Sequence, residues 1–187
     1  MIPLHLIDKS WTLFLDRDGV INIEKYKAYI NSWDEFIFYD DALAALTICT
    51  KYFGRIIVVT NQKGVGKGIT QLEDLHQIHN NMKSEVADAG GKIDAIYFST
   101  DLEDDHPNRK PQPGMGFQAM QQFSNIDPKK SVMIGNNLSD MAFGKNLGTY
   151  TVLLWTTSPK FEMLPAAVDM QMESLAQFAQ TLVAGNL

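Results

Sequence analysis

Short apolar runs alternate with longer helical patterns along the chain. Trp11 to Leu15 is an apolar run followed by an aspartate, and Arg55 to Thr60 contains four consecutive β-branched residues, so both predict buried strands. Between them, Asp41 to Tyr52 has apolar residues at helical spacing and is followed by Gly54, a residue type that often ends a helix. The pattern therefore begins with a strand, a helix and a second strand.

The same alternation continues to the C-terminal region. Thr70 and Glu73 form a capping-box pattern, which predicts a helix from Thr70 to about Ala89. Further strands are predicted at 93–98, 131–134 and 150–154, with a short one near 168–170, and further helices at 114–123, 139–147 and 174–183. Strands that alternate with helices predict a doubly wound, Rossmann-like, mostly parallel α/β sheet covered on both faces, a three-layer fold. No repeat or Gly-, Ser- or Pro-rich linker divides residues 1–187, so we expect a single domain.

Composition and charge narrow the classes of function. The net charge is −6 and no block of Lys or Arg stands out, so the sequence lacks the electrostatic pattern of a nucleic-acid-binding protein. Cys49 is the single cysteine, which excludes an internal disulfide or a multi-cysteine metal site and favours a reducing compartment. Because Cys49 lies in an apolar helical pattern, we expect it to be a small buried hydrophobe. We further expect a cytoplasmic monomer without a signal peptide that binds neither nucleic acid nor membrane.

Polar residues cluster where the predicted strands, or their connections, end. In open parallel sheets, ligands bind outside the carboxyl ends of the strands. Four segments satisfy that rule: Asp16-Arg17-Asp18-Gly19, Thr60-Asn61-Gln62, Arg109-Lys110-Pro111 and Gly135-Asn136-Asn137. Their convergence predicts a polar active site at one edge of the sheet.

Asp16 and Asp18 are the first candidates for chemistry. Side chains two residues apart in extended chain point the same way, so both carboxylates can face one pocket. Two close carboxylates favour a bound cation, and Mg²⁺ suits one or two carboxylates combined with phosphate and water. Alternatively, one carboxylate attacks phosphorus while the other acts as general acid and base. An exposed acidic turn after a strand is the alternative without catalytic function.

The glycine-rich segment 63–68 invites comparison with a phosphate-binding P-loop. That motif requires Gly at position 61 and Ser or Thr at position 68, where this chain has Asn61 and Gly68, so we reject it. The segment is either a flexible connector or a loop whose backbone N–H groups, with Lys67, meet a phosphate. Lys67 and Arg109 are the candidate cations for substrate contacts, against the alternative of solvated surface charge.

Together these motifs resemble those of the haloacid dehalogenase-like (HAD) phosphatase superfamily. The resemblance rests on Asp16-Arg17-Asp18-Gly19-Val20, Thr60, Lys110 and the spacing from Gly135-Asn136 to Asp140. It tightens over 60–68 and 109–115, which look like the branch of the heptose bisphosphate phosphatases and the histidinol-phosphatase domain. The similarity extends over about residues 11–183, with the motifs in the same order.

The resemblance implies a role for each matching residue. Asp16 would be the nucleophile, Asp18 the general acid and base, Thr60 a phosphate ligand, and Lys110 the cation that neutralises the transferring group. Asn61, Gln62, Lys67 and Arg109 are expected to contact the substrate. Mg²⁺ would be held by Asp16, the Asp18 backbone carbonyl and Asn136, with Asp140 as a nearby or direct ligand. The fold would be HAD-like without a large cap domain, because the intervals 19–40 and 99–110 are short.

The chain departs from the branch at two places. Relatives usually carry three cysteines and a histidine in a zinc loop, whereas the interval 99–108 here has His106 and no cysteine, so we expect no zinc. Relatives also have Asp where this chain has Asn136, an amide that can bind Mg²⁺ but brings no charge. We therefore expect weaker Mg²⁺ binding than in relatives, and a substrate cleft that lacks one wall.

The sequence favours a Mg²⁺-dependent phosphatase of a small phosphorylated metabolite, first of all a sugar phosphate such as D-glycero-D-manno-heptose 1,7-bisphosphate. Histidinol phosphate is the alternative substrate within the same branch. A catalytically weakened phosphate-binding or regulatory protein is the alternative from another class, and Asn136 is the residue that favours it. Asp16, Asp18, Thr60 and Lys110 favour the enzyme.

Overall fold

A parallel sheet forms the centre of the molecule. The computed structural model describes residues 2–157 and 160–185. Its strands are β1 (Thr12–Leu15), β2 (Arg55–Asn61), β3 (Ala95–Ser99), β4 (Ser131–Gly135), β5 (Tyr150–Leu154) and β6 (Met170–Met172). In the described residues they form one six-stranded sheet in the order β3-β2-β1-β4-β5-β6, and every neighbouring pair is parallel. The predicted doubly wound parallel α/β class is confirmed.

Helices cover both faces of this sheet. They are α1 (Ala42–Tyr52), α2 (Lys63–Gly66), α3 (Leu72–Asp88), α4 (Gly114–Gln122), α5 (Leu138–Leu147) and α6 (Leu175–Gly185). Except for the four-residue α2, each helix begins and ends within two residues of the bounds predicted from the apolar pattern. The periodicity therefore located the helices, and their exact ends depend on neighbouring contacts.

The alternation of side chains along β1 explains the two covered faces. Leu13 and Leu15 lie in the larger core with residues of α1, α3 and α6, whereas Phe14 lies in the smaller core with residues of α4 and α5. Successive side chains of a strand point to opposite faces, so a central strand buried on both sides must be apolar at every position. That is why the predicted strands appear as continuous apolar runs.

One local prediction was wrong. Thr70 does not cap α3: the N-cap is Gln71, without a side-chain cap, and the Thr70 hydroxyl instead donates to Asn31 Oδ1 at 2.7 Å. The segment 63–68, interpreted from the sequence as a flexible connector or a loop that meets a phosphate, begins with α2, and the N–H groups of Lys67 and Gly68 donate to backbone carbonyls of the same turn. At Thr70 a contact formed by the folded chain replaces the cap that the local pattern predicted, whereas the hydrogen bonds around α2 are local.

Between β1 and α1, the chain folds back over the carboxyl edge of the sheet. The Ile23 N–H donates to Ile37 at 2.8 Å, and the Tyr39 N–H donates to Ile21 at 3.1 Å, so this segment forms a narrow double-stranded excursion. As predicted, no large cap domain is inserted here or between β3 and α4 in the described part of the chain. No helix among the described residues is long and apolar enough to span a membrane. Cys49 is fully buried, and burial raises the pKa of its thiol to about 12.

Candidate active site

The carboxyl ends of β1, β2 and β4 border one cavity of about 350 Å³. Because β1 lies between β2 and β4, the residues that follow these strands are brought to the same place. Its lining includes most predicted site residues, Asp16, Asp18, Thr60, Asn61, Gln62, Arg109, Lys110 and Asp140, together with Arg17, Glu24, Lys25, Lys27, Ala28, Tyr29, Ile30, Asn137 and Ser139. The predicted convergence of four distant segments is therefore present in the fold.

Lys110 holds two carboxylates together at the base of this cavity. Its Nζ lies 2.9 Å from Asp16 Oδ1 and 2.7 Å from Asp140 Oδ1, and it donates to the Val59 carbonyl at 2.9 Å. Asp140 is itself fixed at the start of α5, where its Oδ2 accepts from the Asn137 N–H at 3.0 Å. Both oxygens of Asp140 are thus engaged, and Lys110 is held from three sides.

These buried charges shift one another's proton affinity. Burial raises the pKa of Asp16 to about 7, the neighbouring Asp140 carboxylate adds to the rise, and Lys110 opposes it. Burial alone would lower the pKa of Lys110, but Asp140 and Asp16 outweigh it, so this pKa is raised. Lys110 therefore stays cationic, while Asp16 needs further positive charge to be fully ionised at neutral pH.

Asp18 has different partners. Arg17 Nη2 donates to both of its oxygens at 2.9 and 3.0 Å, and the amides of Asn22 and Gln62 each donate at 3.0 Å. Burial opposes ionisation of Asp18, yet Arg17, Asn22 and Gln62 together outweigh it and lower its pKa. This carboxylate is ionised and firmly oriented, although it follows the same strand end as Asp16.

The polar residues at the carboxyl end of β2, Thr60, Asn61 and the following Gln62, have two kinds of partner. The buried Thr60 hydroxyl lines the cavity and accepts from Gln62 Nε2 at 2.9 Å, so Gln62 links Thr60 to Asp18. The Asn61 side chain instead pairs with the backbone of Lys110, donating to its carbonyl and accepting from its N–H, both at 3.0 Å. Asn61 therefore positions the Lys110 loop; a substrate contact by Asn61 or Gln62 stays a prediction.

The two cations predicted to meet the substrate lie in different surroundings. Arg109 is buried at the cavity wall, where its Nε donates to Asp104 Oδ1 at 3.0 Å and its Nη1 donates to the Asp101 carbonyl at 3.1 Å. Lys67 is exposed, does not line the cavity, and has its Nζ 5.6 Å from the ring centre of Tyr29, a lining residue. Arg109 is thus anchored beside the site, and Lys67 lies at its rim.

Asn136 is packed behind the end of β1. Gly19 has a φ of +80°, and a Cβ built there would lie 2.0 Å from Asn136 Nδ2, so only glycine fits at this position. Asn136 Nδ2 donates to Glu24 Oε2 at 3.1 Å and to Thr157 Oγ1 at 2.6 Å. A carboxylate, Glu24, therefore stands beside the uncharged amide.

Three residues near the site escaped the reasoning from sequence. Arg17 and Asn22 both hold Asp18, and Glu24 reaches Asn136 across 112 positions of the chain. Arg17 lies inside the recognised motif, and its full burial is what distinguishes it from a solvated arginine. No local pattern indicates Asn22 or Glu24, because the folded excursion that carries them is what brings them to Asp18 and Asn136.

The fold and this arrangement agree with comparisons to known proteins. Residues 107–178 match the family model described as HAD-hydrolase-like. The D-glycero-alpha-D-manno-heptose-1,7-bisphosphate 7-phosphatase of Mycobacterium bovis is 30% identical over 171 residues, which cover 91% of this chain and 90% of the relative. The D-glycero-beta-D-manno-heptose-1,7-bisphosphate 7-phosphatase of Pasteurella multocida is 33% identical over 178 residues, covering 91% and 95%. The D,D-heptose 1,7-bisphosphate phosphatase of B. bronchiseptica, solved with magnesium and phosphate, matches with a TM-score of 0.81 and 27% identity, covering 93% of this chain and 98% of that chain.

A doubly wound parallel sheet with an Asp-x-Asp pair after its central strand is the architecture of a HAD-like hydrolase. On these similarities, the chain belongs to the HAD-like family, in the branch of the heptose-1,7-bisphosphate phosphatases. It is a phosphoric monoester hydrolase, and the resemblance stated from the sequence is confirmed.

Proposed function

We propose that this enzyme removes the C7 phosphate of D-glycero-D-manno-heptose 1,7-bisphosphate. The observation that carries the chemistry is Lys110, whose ammonium contacts Asp16 at 2.9 Å inside the cavity that Asp18 and Thr60 also line. The substrate is inferred from relatives whose names specify this sugar bisphosphate and its 7-phosphate, in both the alpha and the beta forms.

In the first step, an oxygen of Asp16 attacks phosphorus. The new Asp16–phosphorus bond forms as the bond from phosphorus to the sugar oxygen breaks, and a proton from Asp18 goes to that leaving oxygen. Lys110 and the Thr60 hydroxyl lie where they can stabilise the charge of the transferring phosphoryl group. The dephosphorylated sugar then leaves.

In the second step, water hydrolyses the aspartyl-phosphate. Asp18, now ionised, accepts a proton from the water as its oxygen attacks phosphorus, and the bond between Asp16 and phosphorus breaks. Phosphate leaves and Asp16 returns to its carboxylate form. The lowered pKa of Asp18 keeps it ionised, the form that this step requires, and the proton that it accepts from water makes it the acid for the next turnover.

We propose that Mg²⁺ is the cofactor, held by the Asp16 carboxylate, the Asp18 backbone carbonyl and the Asn136 amide. All three are oxygen donors, the kind that Mg²⁺ requires, and the raised pKa of Asp16 marks a carboxylate that an added cation would keep ionised. When bound, the ion supplies positive charge to the phosphoryl oxygens. Asp140, which pairs with Lys110, acts behind these ligands rather than as one of them.

The donor set has a low charge for a metal site. Within residues 2–157 and 160–185, no three His, Cys, Asp or Glu side chains are grouped so that they could hold a metal ion. Binding at Asp16, Asp18 and Asn136 would therefore depend on phosphate and water as further ligands. We propose that Mg²⁺ binds mainly together with the substrate, and that zinc has no structural role.

We further propose that Arg109 and Lys67 contact the second phosphate or the sugar hydroxyls, with Asn61 and Gln62 forming the adjoining wall. Arg109 supports this role by its place at the cavity, and Lys67 by its position over Tyr29 at the rim. The chain would act as a monomer with a single domain. It would work in the cytoplasm, a reducing compartment that suits its one free, buried cysteine.

A substrate panel tests this proposal. Purified protein is assayed against the alpha and beta heptose 1,7-bisphosphates, histidinol phosphate and other sugar phosphates, with Mg²⁺ or with EDTA. We expect Mg²⁺-dependent release of phosphate from a heptose bisphosphate, with a kcat/KM at least about an order of magnitude above that for histidinol phosphate, because groups that hydrogen-bond the sugar hydroxyls would be left without partners by histidinol phosphate. A preference for histidinol phosphate would reassign the substrate within the branch.

A weakened phosphate-binding protein is the second candidate, and Asn136 is the observation that favours it. Binding of phosphate or heptose bisphosphate without Mg²⁺-dependent turnover of any ester would establish that alternative. Turnover that survives Asp16→Asn would contradict the proposed nucleophile.

A further inference from the structure

His79, on α3, contacts Arg17, the residue that holds the Asp18 carboxylate. Its Nε2 lies 3.2 Å from Arg17 Nη1, and Arg17 in turn donates through Nη2 to both oxygens of Asp18. His79 and Arg17 are separated by 62 positions in sequence, and both are buried. A continuous chain of contacts therefore runs from α3 to the acid–base residue.

The contact fixes the protonation state of His79. An arginine guanidinium can only donate hydrogen bonds, so His79 Nε2 must be the acceptor and the ring proton must lie on Nδ1. Burial and the adjacent Arg17 charge lower the pKa of His79 to about 3, which keeps the ring neutral at working pH. A protonated His79 would face Arg17 with two like charges and no acceptor.

Arg17 is enclosed by groups that restrict it to one orientation. Its guanidinium carbon lies 5.9 Å from the ring centre of Phe36, its Nη1 faces His79, and its remaining donors face Asp18. The guanidinium is a rigid planar fork, so fixing one edge sets the direction of the other. Without the acceptor at His79, a buried N–H of Arg17 would lose its partner.

We propose that His79 is a positioning residue for catalysis: by accepting from Arg17, it orients the fork that holds the Asp18 carboxylate in place for proton transfer. His79 touches neither the substrate nor the reacting atoms, and the role rests on the proposed phosphatase mechanism. Proton transfer depends on placement within hydrogen-bond reach, so a loosened Asp18 loses rate without any loss of the nucleophile.

The test uses two esters that differ in their need for an acid. A sugar alkoxide must be protonated as it leaves, whereas p-nitrophenolate leaves without a proton. For His79→Leu, we expect kcat/KM for the heptose bisphosphate to fall about 10-fold, a part of the roughly 10²–10⁴-fold effect of a positioned acid. The value for p-nitrophenyl phosphate is expected to stay within about twofold of wild type, because kcat/KM reports the steps up to departure of the first leaving group.

Two further variants separate positioning from packing. His76, one turn earlier on α3, also lies 5.7 Å from the Phe98 ring but is exposed, so His76→Leu controls for the loss of that ring contact and should leave kcat/KM for both esters unchanged. His79→Gln places an amide oxygen where it can accept from Arg17 and should restore most of the activity on the sugar phosphate. The proposal would be overturned if the ratio of kcat/KM between the two esters were the same in His79→Leu and His76→Leu. It would also be overturned if His79→Gln had no higher kcat/KM on the heptose bisphosphate than His79→Leu.

A spectroscopic measurement tests the contact between His79 and Arg17, on which the inference depends, independently of turnover and of variant folding. In ¹⁵N NMR spectra of the wild-type protein, His79 should show an unprotonated Nε2 and a protonated Nδ1 that persist to pH 5. A protonated Nε2 at neutral pH would show that Arg17 has no acceptor there and would refute the inference. A wild-type protein that hydrolyses neither ester would count against the phosphatase proposal, and the NMR result would still decide the contact between His79 and Arg17.

Discussion

Asp16 and Asp18 leave the same strand end two residues apart, yet their surroundings push their pKa values in opposite directions. Asp16 shares a buried space with a second carboxylate, Asp140, and one ammonium, Lys110, and its pKa rises to about 7. Asp18 is held by the Arg17 guanidinium together with two amides, and its pKa is lowered. Asp16 is buried and Asp18 is partly exposed, and burial acts to raise both pKa values, so the balance of charged partners decides the opposite directions.

The difference explains how one motif can supply two chemical roles. The Asp16 side has two carboxylates for one ammonium, a net negative charge that a metal ion and a phosphoryl group can relieve. The Asp18 side is already neutralised by Arg17 and needs no further cation. Without a cation, the raised pKa of Asp16 favours its protonated form, so its proposed role as nucleophile requires a bound cation, and the roles of the two carboxylates follow from the resemblance to HAD phosphatases.

The largest expected effect comes from exchanging each carboxylate for its amide. Asp16→Asn should abolish turnover of every ester, a loss of at least about 10³-fold, because a missing nucleophile has no substitute. Asp18→Asn should reduce kcat/KM by roughly 10²–10⁴-fold for the sugar phosphate and by much less for p-nitrophenyl phosphate. Steady-state kinetics on both esters measures the two losses. Equal losses on the two esters for Asp18→Asn would break the assignment of the acid.

A second prediction uses the raised pKa of Asp16. The ordinary value is 3.8 and the value in the folded protein is about 7, so folding takes up a proton between these pH values. The free energy of unfolding of the metal-free protein should therefore contain a contribution that is full below pH 4 and is lost as the pH rises to about 7. Asp16→Asn lacks that contribution.

Urea unfolding in EDTA at pH 5 and pH 7.5 measures this contribution as the difference between wild type and Asp16→Asn. Asp18 has the opposite dependence on pH in both proteins, so it cancels in that difference. Added Mg²⁺ should stabilise wild type at pH 7.5 more than at pH 5, since the ion competes with the proton. A difference between the two proteins that does not change with pH would contradict the shifted titration of Asp16.

The smallest expected effect concerns the charge beside the metal site. Asn136→Asp should tighten Mg²⁺ binding on the order of tenfold, the size of effect that neighbouring ligand-shell groups have on metal affinity. Glu24 Oε2 lies 3.1 Å from Asn136 Nδ2, so Glu24→Gln should weaken Mg²⁺ binding by removing a carboxylate beside position 136. Isothermal titration calorimetry in the presence of phosphate measures both dissociation constants.

The ratio of kcat/KM between the two esters serves as the control for the metal-site variants. It should remain unchanged, because neither variant touches Arg17 or Asp18. If a folded Asn136→Asp protein bound Mg²⁺ no more tightly than wild type, position 136 would lie outside the metal site.

Local pattern predicted the elements better than it predicted their ends. The β-branched run of β2 and the apolar run of β1 follow from burial on both faces, a condition that any central parallel strand must meet. The capping-box pattern at Thr70 and Glu73 was wrong because the Thr70 hydroxyl donates to Asn31 Oδ1, 39 positions away, instead of to its own helix. A cap is a single weak interaction, and one tertiary hydrogen bond is enough to replace it.

The amino-acid sequence by itself determined the fold class and the convergence of Asp16, Thr60, Lys110 and Asn136, since parallel strands carry the residues after them to one edge. Only the tertiary structure decided which partner each group meets. The contact of His79 with Arg17 joins α3 to the loop after β1 across 62 positions, and no spacing along the chain encodes it. Side-chain electrostatics depend on distances of a few ångströms and on the exclusion of water, and both exist only once the chain has folded.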